Sequence, residues 1–415
     1  MTTRIGHPLR RMTGRDPHQE GRVATSLELF YDLVFVVAFA AAAAQLAHQL
    51  AESHYQAAIF GYLLCTFAAI WAWINFAWFA SAFDTDDWFF RLVTLVQMIG
   101  VAIIALGIPQ VFDSLGHDEH VDNHVLVIGY IVMRVGMVAQ WLRAAAQSER
   151  YRGACLIYAG MTLVAQIGWI AVLIADMAPL ATLLAMIACI AVEFAGPFIA
   201  ERSTGGTPWH AHHIAERYGL LTIVTLGEGV VGTVAVLGAI VEVEGWSVQT
   251  AVLGLASMGV TFAMWWMYFI VPVGYALHAH REKSFGWGYG HIVIFMAAAG
   301  VGAGLHVAAL YFEHEVHVGA GAVVATVAVP LGVYCLGLLA MYDYLLPFDP
   351  LSLLLGLGAA ALLVAAVWLA AVGISVIVAI VVATLAPVLI VVLDEIFGVA
   401  RKARALASIG VEVDY

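Results

Sequence analysis

Residues 27–46 read L-E-L-F-Y-D-L-V-F-V-V-A-F-A-A-A-A-A-Q-L, and the apolar run continues past His48 to Ala51. A run over 28–51 is longer than the apolar core of a signal peptide and opens on two acids, Glu28 and Asp32, which predicts an uncleaved first membrane helix. The residues before it are polar and carry Arg4, Arg10, Arg11, Arg15 and Arg22. Outward from this stretch the composition is of one kind. The chain has 415 residues, 63% hydrophobic and 11% charged, with a mean hydropathy of +0.93, whereas soluble domains carry about 25% charged residues. A soluble protein is excluded.

Further runs of crossing length lie at 56–82, 89–112, 124–146, 154–175 and 179–200. A second set lies at 212–238, 248–275, 287–312, 316–341, 350–371 and 373–394, the last two meeting at Gly373. The expected fold is an all-α polytopic integral membrane protein of about twelve transmembrane helices. Placement of charge tests that count, because a wrong number of spans would scatter Lys and Arg onto both faces. With the N-terminus cytoplasmic, all of the 17 basic residues except Arg134 and Arg217 fall on the cytoplasmic side. The external loops carry acids and histidines instead: Glu52, Asp113, Asp118, Glu119, Asp122, Asp176, Glu242, Glu244, Glu313 and Glu315, with His117, His120, His124, His314 and His317. Imidazole with carboxylate suits a transition metal, but an acidic solvated face accounts for the same residues, and no metal site is assigned.

The chain divides on this reading into a basic cytoplasmic segment (1–25), a first six-helix half (26–201), a second (202–395) and a cytoplasmic tail (396–415). A weak internal echo supports two parallel halves: Glu28, Phe30 and Leu33 align with Glu216, Tyr218 and Leu221, and Trp73 and Phe76 with Trp266 and Phe269. The four cysteines, Cys65, Cys155, Cys189 and Cys335, stand alone in apolar runs and read as small core residues.

Ionisable groups within spans are costly and mark candidate sites. Glu28 and Asp32, at i and i+4, share one helix face. Both also suit a helix N-terminus, where carboxylates meet free N–H groups. Residues 209–232, W-H-A-H-H-I-A-E-R-Y-G-L-L-T-I-V-T-L-G-E-G-V-V-G, place His210, His213, Arg217 and Glu228 within a sector of roughly 60° on a helix. Glu228 falls near mid-bilayer between Gly227 and Gly229, which predicts a helix break beside an ion-binding carboxylate. The alternative partner for Glu228 is Arg134. Arg217 has Glu216 or an acid of the first span as candidate counter-ions. Glu193 adds a further deep acid. Acids outnumber bases, and surplus buried carboxylates must be protonated, hydrated or paired with an exogenous cation. The expectation is ion or proton binding at Asp32, Glu228 and Glu193, with Glu28, Arg134, His213, Glu216 and Arg217 gating or tuning charge. His48, His291 and His306 read as packing residues. Trp71, Trp73, Trp78, Trp265, Trp266 and Tyr268 are interfacial, core or a wall for a substrate.

Catalytic patterns are absent: there is no H-E-x-x-H, no G-x-S-x-G and no G-x-x-x-x-G-K-[ST]. No catalytic residue and no cofactor are expected, and the protein is not read as an enzyme. A metal-dependent site built from His210, His213 and Glu216 is the catalytic alternative.

L-E-L-F-Y-D-L-V-F-V-V-A-F together with H-I-A-E-R-Y-G-L-L-T-I-V-T-L-G-E-G resembles the bacterial low-temperature-requirement protein A family, over about 22–400. The resemblance implies signature positions at Glu28, Phe30, Asp32, His213, Glu216, Arg217, Gly219, Gly227 and Glu228, with Tyr31 where Phe is common. It also implies a bacterial inner-membrane address and a link to growth in the cold, with no substrate. The F-x-D element is faintly similar to that of lysosomal-type potassium channels. The function expected is a proton- or cation-translocating transporter, its partners being the lipid bilayer, a proton or small cation, and a coupled solute or lipid, with no nucleic acid. A cation channel and a non-transporting, lipid-handling scaffold are the alternatives.

Overall fold

The computed structural model describes residues 6–117, 121–175, 177, 179–203 and 205–411, without the side chains at 116, 117, 179, 180, 183, 203 and 244. Arg4, Asp118, Glu119, His120 and Asp176, and the side chains of His117 and Glu244, lie outside the described residues. Within them the chain is helical: α1 (Ser26–Ala51), α2 (Tyr55–Phe83), α3 (Trp88–His117), α4 (His124–Gln147), α5 (Arg152–Ile174), α6 (Pro179–Ser203), α7 (Ala211–Glu244), α8 (Val248–Phe269), α9 (Val273–Ala279), α10 (Ser284–Phe312), α11 (Ala320–Leu345), α12 (Pro350–Ala371), α13 (Val376–Leu393) and α14 (Val399–Ser408). Twelve helical segments among the described residues are long and apolar enough to cross a membrane.

Local chemistry sets the boundaries. The eighth span, expected to reach 275, leaves the helix after Phe269, because Pro272 has no N–H to donate; the chain resumes as α9. The junction at Gly373 is a turn in which that glycine takes φ +93°, and Ser375 then caps α13 through Ile377 N. A π-helical turn, Asp394–Gly398, joins α13 to α14.

Two compact units emerge: residues 1–38 with 68–217, and 39–67 with 218–415. Their limits differ from the 26–201 and 202–395 division, since residues 39–67 group with the later helices and 202–217 with the earlier ones. Residues aligned by the internal echo occupy unlike surroundings. Tyr218 and Trp73 are buried, whereas Phe30 and Trp266 are exposed.

In the first unit α3 packs on α4, α4 on α5 and α5 on α6. The segment before α1 is tied to helix ends. Arg22 donates to the carbonyls of Ser81 and Ala80 and Arg15 N to Ala82 O (2.8 Å), satisfying last-turn acceptors of α2 that have no partner within the helix. Met12 N reaches Gln147 Oε1 (2.7 Å), and Arg143 binds Arg10 O (2.8 Å).

In the second unit α10 packs on α11, α12 on both α11 and α13, and α13 on α8. Its core lies around α10, the most buried span. Close approach there depends on missing side chains: a Cβ at Gly302 would collide with the backbone of Glu228, and one at Gly304 with that of Thr326. Small residues at such crossings supply the van der Waals packing that holds helices together where water offers no driving force. In the loops between spans His124 pairs with Asp122 (2.9 Å) and His317 with Glu52 (3.1 Å). Among the described residues no three His, Cys, Asp or Glu side chains converge for a metal.

Gly304→Leu should destabilise the purified protein by about 1–3 kcal/mol through overpacking. Gly238→Ala, where an added methyl meets open space, should leave the thermal midpoint unchanged or raised. Thermal unfolding in detergent measures both.

Candidate functional site

The first unit holds a buried charged cluster at the start of α1. Thr25 and Glu28 form a capping box: Glu28 N donates to Thr25 Oγ1 (3.3 Å) and Thr25 N to Glu28 Oε2 (2.8 Å). The other Glu28 oxygen accepts from Arg217 Nη1 (2.9 Å). One turn on, Asp32 Oδ1 accepts from Arg217 Nη2 and from Trp73 Nε1 (2.6 Å). A single guanidinium therefore forks across two carboxylates one turn apart on α1. His213 Nε2 sits 3.2 Å from Glu28 Oε1. The Trp73 and Phe76 rings lie 5.5 and 5.8 Å from the guanidinium carbon. Glu28, Asp32, His213 and Arg217 are all buried.

Three polar atoms of this cluster are buried without a hydrogen-bond partner among the described residues: Asp32 Oδ2, His213 Nδ1 and Arg217 Nε. Two acids face one arginine, so with both ionised and His213 neutral the quartet carries a net negative charge away from water. An orphaned carboxylate oxygen beside that surplus is where a proton is best accommodated.

Glu216, a candidate counter-ion of Arg217, instead accepts from Ala24 N (3.1 Å) and positions the chain entering α1. His210 precedes α7, where its Nε2 lies 2.9 Å from Gln19 O. Phe30 is exposed and takes no part.

Below this cluster, on the loop after α2, stand two acids the sequence reading passed over. Burial, reinforced by the charge of Glu28, pushes the Asp84 carboxyl up to about 6, against Asp86 N–H and Arg15. Asp87 behaves oppositely. Burial works against its charge, but Arg143 and the N–H groups of Phe90 and Arg10 hold it at about 2. Burial, with the charge of Arg15, lowers Arg22 to about 10.

A second cluster in the same unit surrounds Glu193 of α6. Its Oε2 accepts from Arg134, Trp71 and Tyr130 (2.6 Å for the last), and its Oε1 from Trp169 (3.2 Å) and Gln166 (3.3 Å). Five donors saturate the carboxylate and Arg134 neutralises it. Glu193, expected as an ion-binding acid, is thus occupied by protein donors. Arg134, named as the alternative partner of Glu228, has this carboxylate as its counter-ion. Tyr31, whose hydroxyl is buried without a hydrogen bond among the described residues, lies within electrostatic reach of Arg134, Arg217 and Asp32.

In the second unit Glu228 is nearly buried, and among the described residues its carboxylate has no hydrogen bond or ion pair. The expected helix break is not there. α7 runs unbroken through Gly227 and Gly229, because the helical backbone bonds from residue i to i−4 tolerate glycine at modest cost; Gly229 instead makes room for the Thr261 side chain. His291 of the same unit is a satisfied packing residue, its Nδ1 2.8 Å from Trp287 O and its Nε2 2.9 Å from Tyr268 Oη.

Residues 23–387 match the family model described as bacterial low temperature requirement A protein (LtrA). The chain belongs to the LtrA family. No curated protein and no solved structure gives a match. Both clusters of this LtrA-family protein, and Glu228, fall inside the matched range; α14 falls outside it.

Arg134→Leu strands a buried carboxylate and should cost about 3–5 kcal/mol, whereas Arg134→Leu with Glu193→Leu should recover most of that, since an apolar pair can replace a buried ion pair. Asp84 binds its proton more tightly folded, at about 6, than unfolded, at about 3.9. Its ionisation therefore removes stability as pH rises from about 4 to 6, and the penalty is complete above that window. Asp84→Asn should raise the thermal midpoint relative to wild type more at pH 8 than at pH 4, by about 1–3 kcal/mol equivalent. An equal effect at both pH values would mean that Asp84 ionises freely.

Proposed function

We propose that this LtrA-family protein carries a proton or small cation across the bacterial inner membrane, with Asp32 as the carboxylate that takes up and releases the charge. The observation that carries this reading is the buried, unpartnered Asp32 Oδ2 beside a carboxylate surplus. Protonating that oxygen neutralises Asp32 and weakens its hold on Arg217, while Glu28 keeps the guanidinium in place. Losing the proton restores the full fork. Occupancy of Asp32 is thereby converted into a change in how strongly α7 grips α1, the coupling that a carrier requires. His213, with a free ring nitrogen inside the same cluster, accepts or passes the proton, and Glu216 holds the entering chain in register.

Glu228 serves as a second, independent ion-binding carboxylate, since among the described residues none forms an ion pair with it. Glu193 and Arg134 form a fixed structural pair. Both termini are cytoplasmic on this reading, supported by the one-sided placement of Lys and Arg. The protein is no enzyme and needs no cofactor; its partners are the bilayer and the ion, with a coupled solute or lipid.

Flux into proteoliposomes containing a trapped pH dye, under Na⁺, K⁺ and divalent gradients, tests the proposal. Wild type should show ion-dependent flux, and Asp32→Asn and Glu228→Gln, each with a wild-type thermal midpoint, should reduce it to the level of empty liposomes. A saturable rate favours a carrier and discrete current steps a channel. No flux from folded wild type under any gradient overturns the ion-path reading in favour of a scaffold.

A further inference from the structure

A cavity of about 450 Å³ opens in the second unit, where α8, α11, α12, α13 and α14 end or begin. Its lining carries three acids and three bases: Asp343, Asp349, Asp394, Arg401, Lys402 and Arg404. Two pairs are already joined. Arg401 binds Asp349 bidentately, with Nε to Oδ2 at 2.9 Å, and Lys402 binds Asp394. Asp349 also caps α12 through Leu351 N (3.0 Å).

What remains is one acid and one base. Asp343 accepts from Ser352 Oγ (2.9 Å) and Asp349 N (3.3 Å) through Oδ1, and no cation pairs with it among the described residues. Arg404 uses only Nε, on Ala400 O (3.1 Å), so the outer face of its guanidinium is open. The floor between them is apolar and buried, formed by Met267, Leu355 and Ile390.

The rim indicates depth. Trp266, Tyr344, Phe348 and Phe397 are exposed around this end of the unit, and Trp266 Nε1 donates to Glu395 Oε1 (2.9 Å). Exposed Trp and Tyr rings, as at Trp266 and Tyr344, beside basic side chains mark the boundary between hydrocarbon and headgroups. The cavity therefore faces lipid headgroups, and its uncommitted charges have opposite signs.

We infer that this cavity binds the zwitterionic headgroup of a phosphatidylethanolamine, the ammonium against Asp343, the phosphodiester against the open face of Arg404, and an acyl chain leaving over the apolar floor. A purely anionic lipid would satisfy Arg404 and leave Asp343 facing a like charge. The site is independent of the ion-path reading. Arg401, Lys402 and Arg404 lie beyond residue 387, where the family match ends, whereas Asp343, Ser352 and most of the floor lie within it.

Native mass spectrometry of the full chain in detergent, with phosphatidylethanolamine and phosphatidylglycerol of matched acyl chains, tests the inference. Wild type should retain one phosphatidylethanolamine in preference to phosphatidylglycerol by about tenfold. Arg404→Ala should reduce retention of both lipids. Asp343→Asn, whose amide oxygen can still accept from Ser352, should abolish the preference while keeping phosphatidylglycerol, and Ser352→Ala, which removes that hydrogen bond but keeps the charge, should preserve the preference and so control for local disruption. Soluble glycerophosphoethanolamine at equal concentration should not displace the lipid. Equal retention of the two lipids by wild type, or a preference that survives Asp343→Asn, overturns the proposal. Displacement by the soluble headgroup overturns the lipid as its source.

Discussion

A guanidinium buried among apolar helices must be matched by negative charge, because an uncompensated ion away from water costs several kcal/mol even after relaxation. Arg217 meets that requirement by forking across Glu28 and Asp32, and the surrounding arrangement follows from it. The two acids must sit one turn apart on α1, with their face toward α7. The capping box that begins α1 fixes the register by using the far oxygen of Glu28, and Glu216 holds Ala24 so that α1 starts where Arg217 can reach it. Trp73 and Phe76 wall the guanidinium off, strengthening each charged contact in a low local dielectric.

The two buried arginine clusters solve the same problem with different outcomes. Glu193 receives five donors and has no capacity left, which makes it rigid: hydrogen bonds to a charged group contribute roughly 1.5–3 kcal/mol each, and all would have to break together for it to exchange a ligand. Asp32 receives donors on one oxygen only. The same chemistry that makes Glu193 a structural anchor leaves Asp32 able to change protonation without dismantling its surroundings. That asymmetry, and not burial, which the two share, is the ground on which Asp32 rather than Glu193 is proposed as the ion-binding acid.

The segment before α1 links this cluster to the protein's edge. Its arginines and backbone amides complete the ends of α2, and in doing so bring Arg15 and Arg22 close to Asp84 and Glu28. A stretch that reads as a basic tail is therefore part of the electrostatic environment of the buried acids. The positive charge of this segment offsets part of the carboxylate surplus there.

The twelve spans were legible in the sequence because crossing a bilayer imposes a length and an apolarity on each helix, local properties of a run of residues. So were Glu28, Asp32, Arg217 and Glu228 as candidates, since a charge within such a run stands out one residue at a time. Which charges meet was not legible. Arg134 had several acids within possible reach, and only packing decided for Glu193; Trp71, Trp73, Tyr130 and Trp169 looked like any other aromatic of an apolar helix until their polar atoms were found on carboxylates. The glycines flanking Glu228 suggested a broken helix, and the structure uses Gly229 for close contact, because glycine permits both and its neighbours choose. Sequence by itself determined that this chain spans a membrane and buries more acid than base. Tertiary structure decided which acids are saturated by donors and which keep an unsatisfied oxygen, because pairing depends on distances between helices that no single helix encodes.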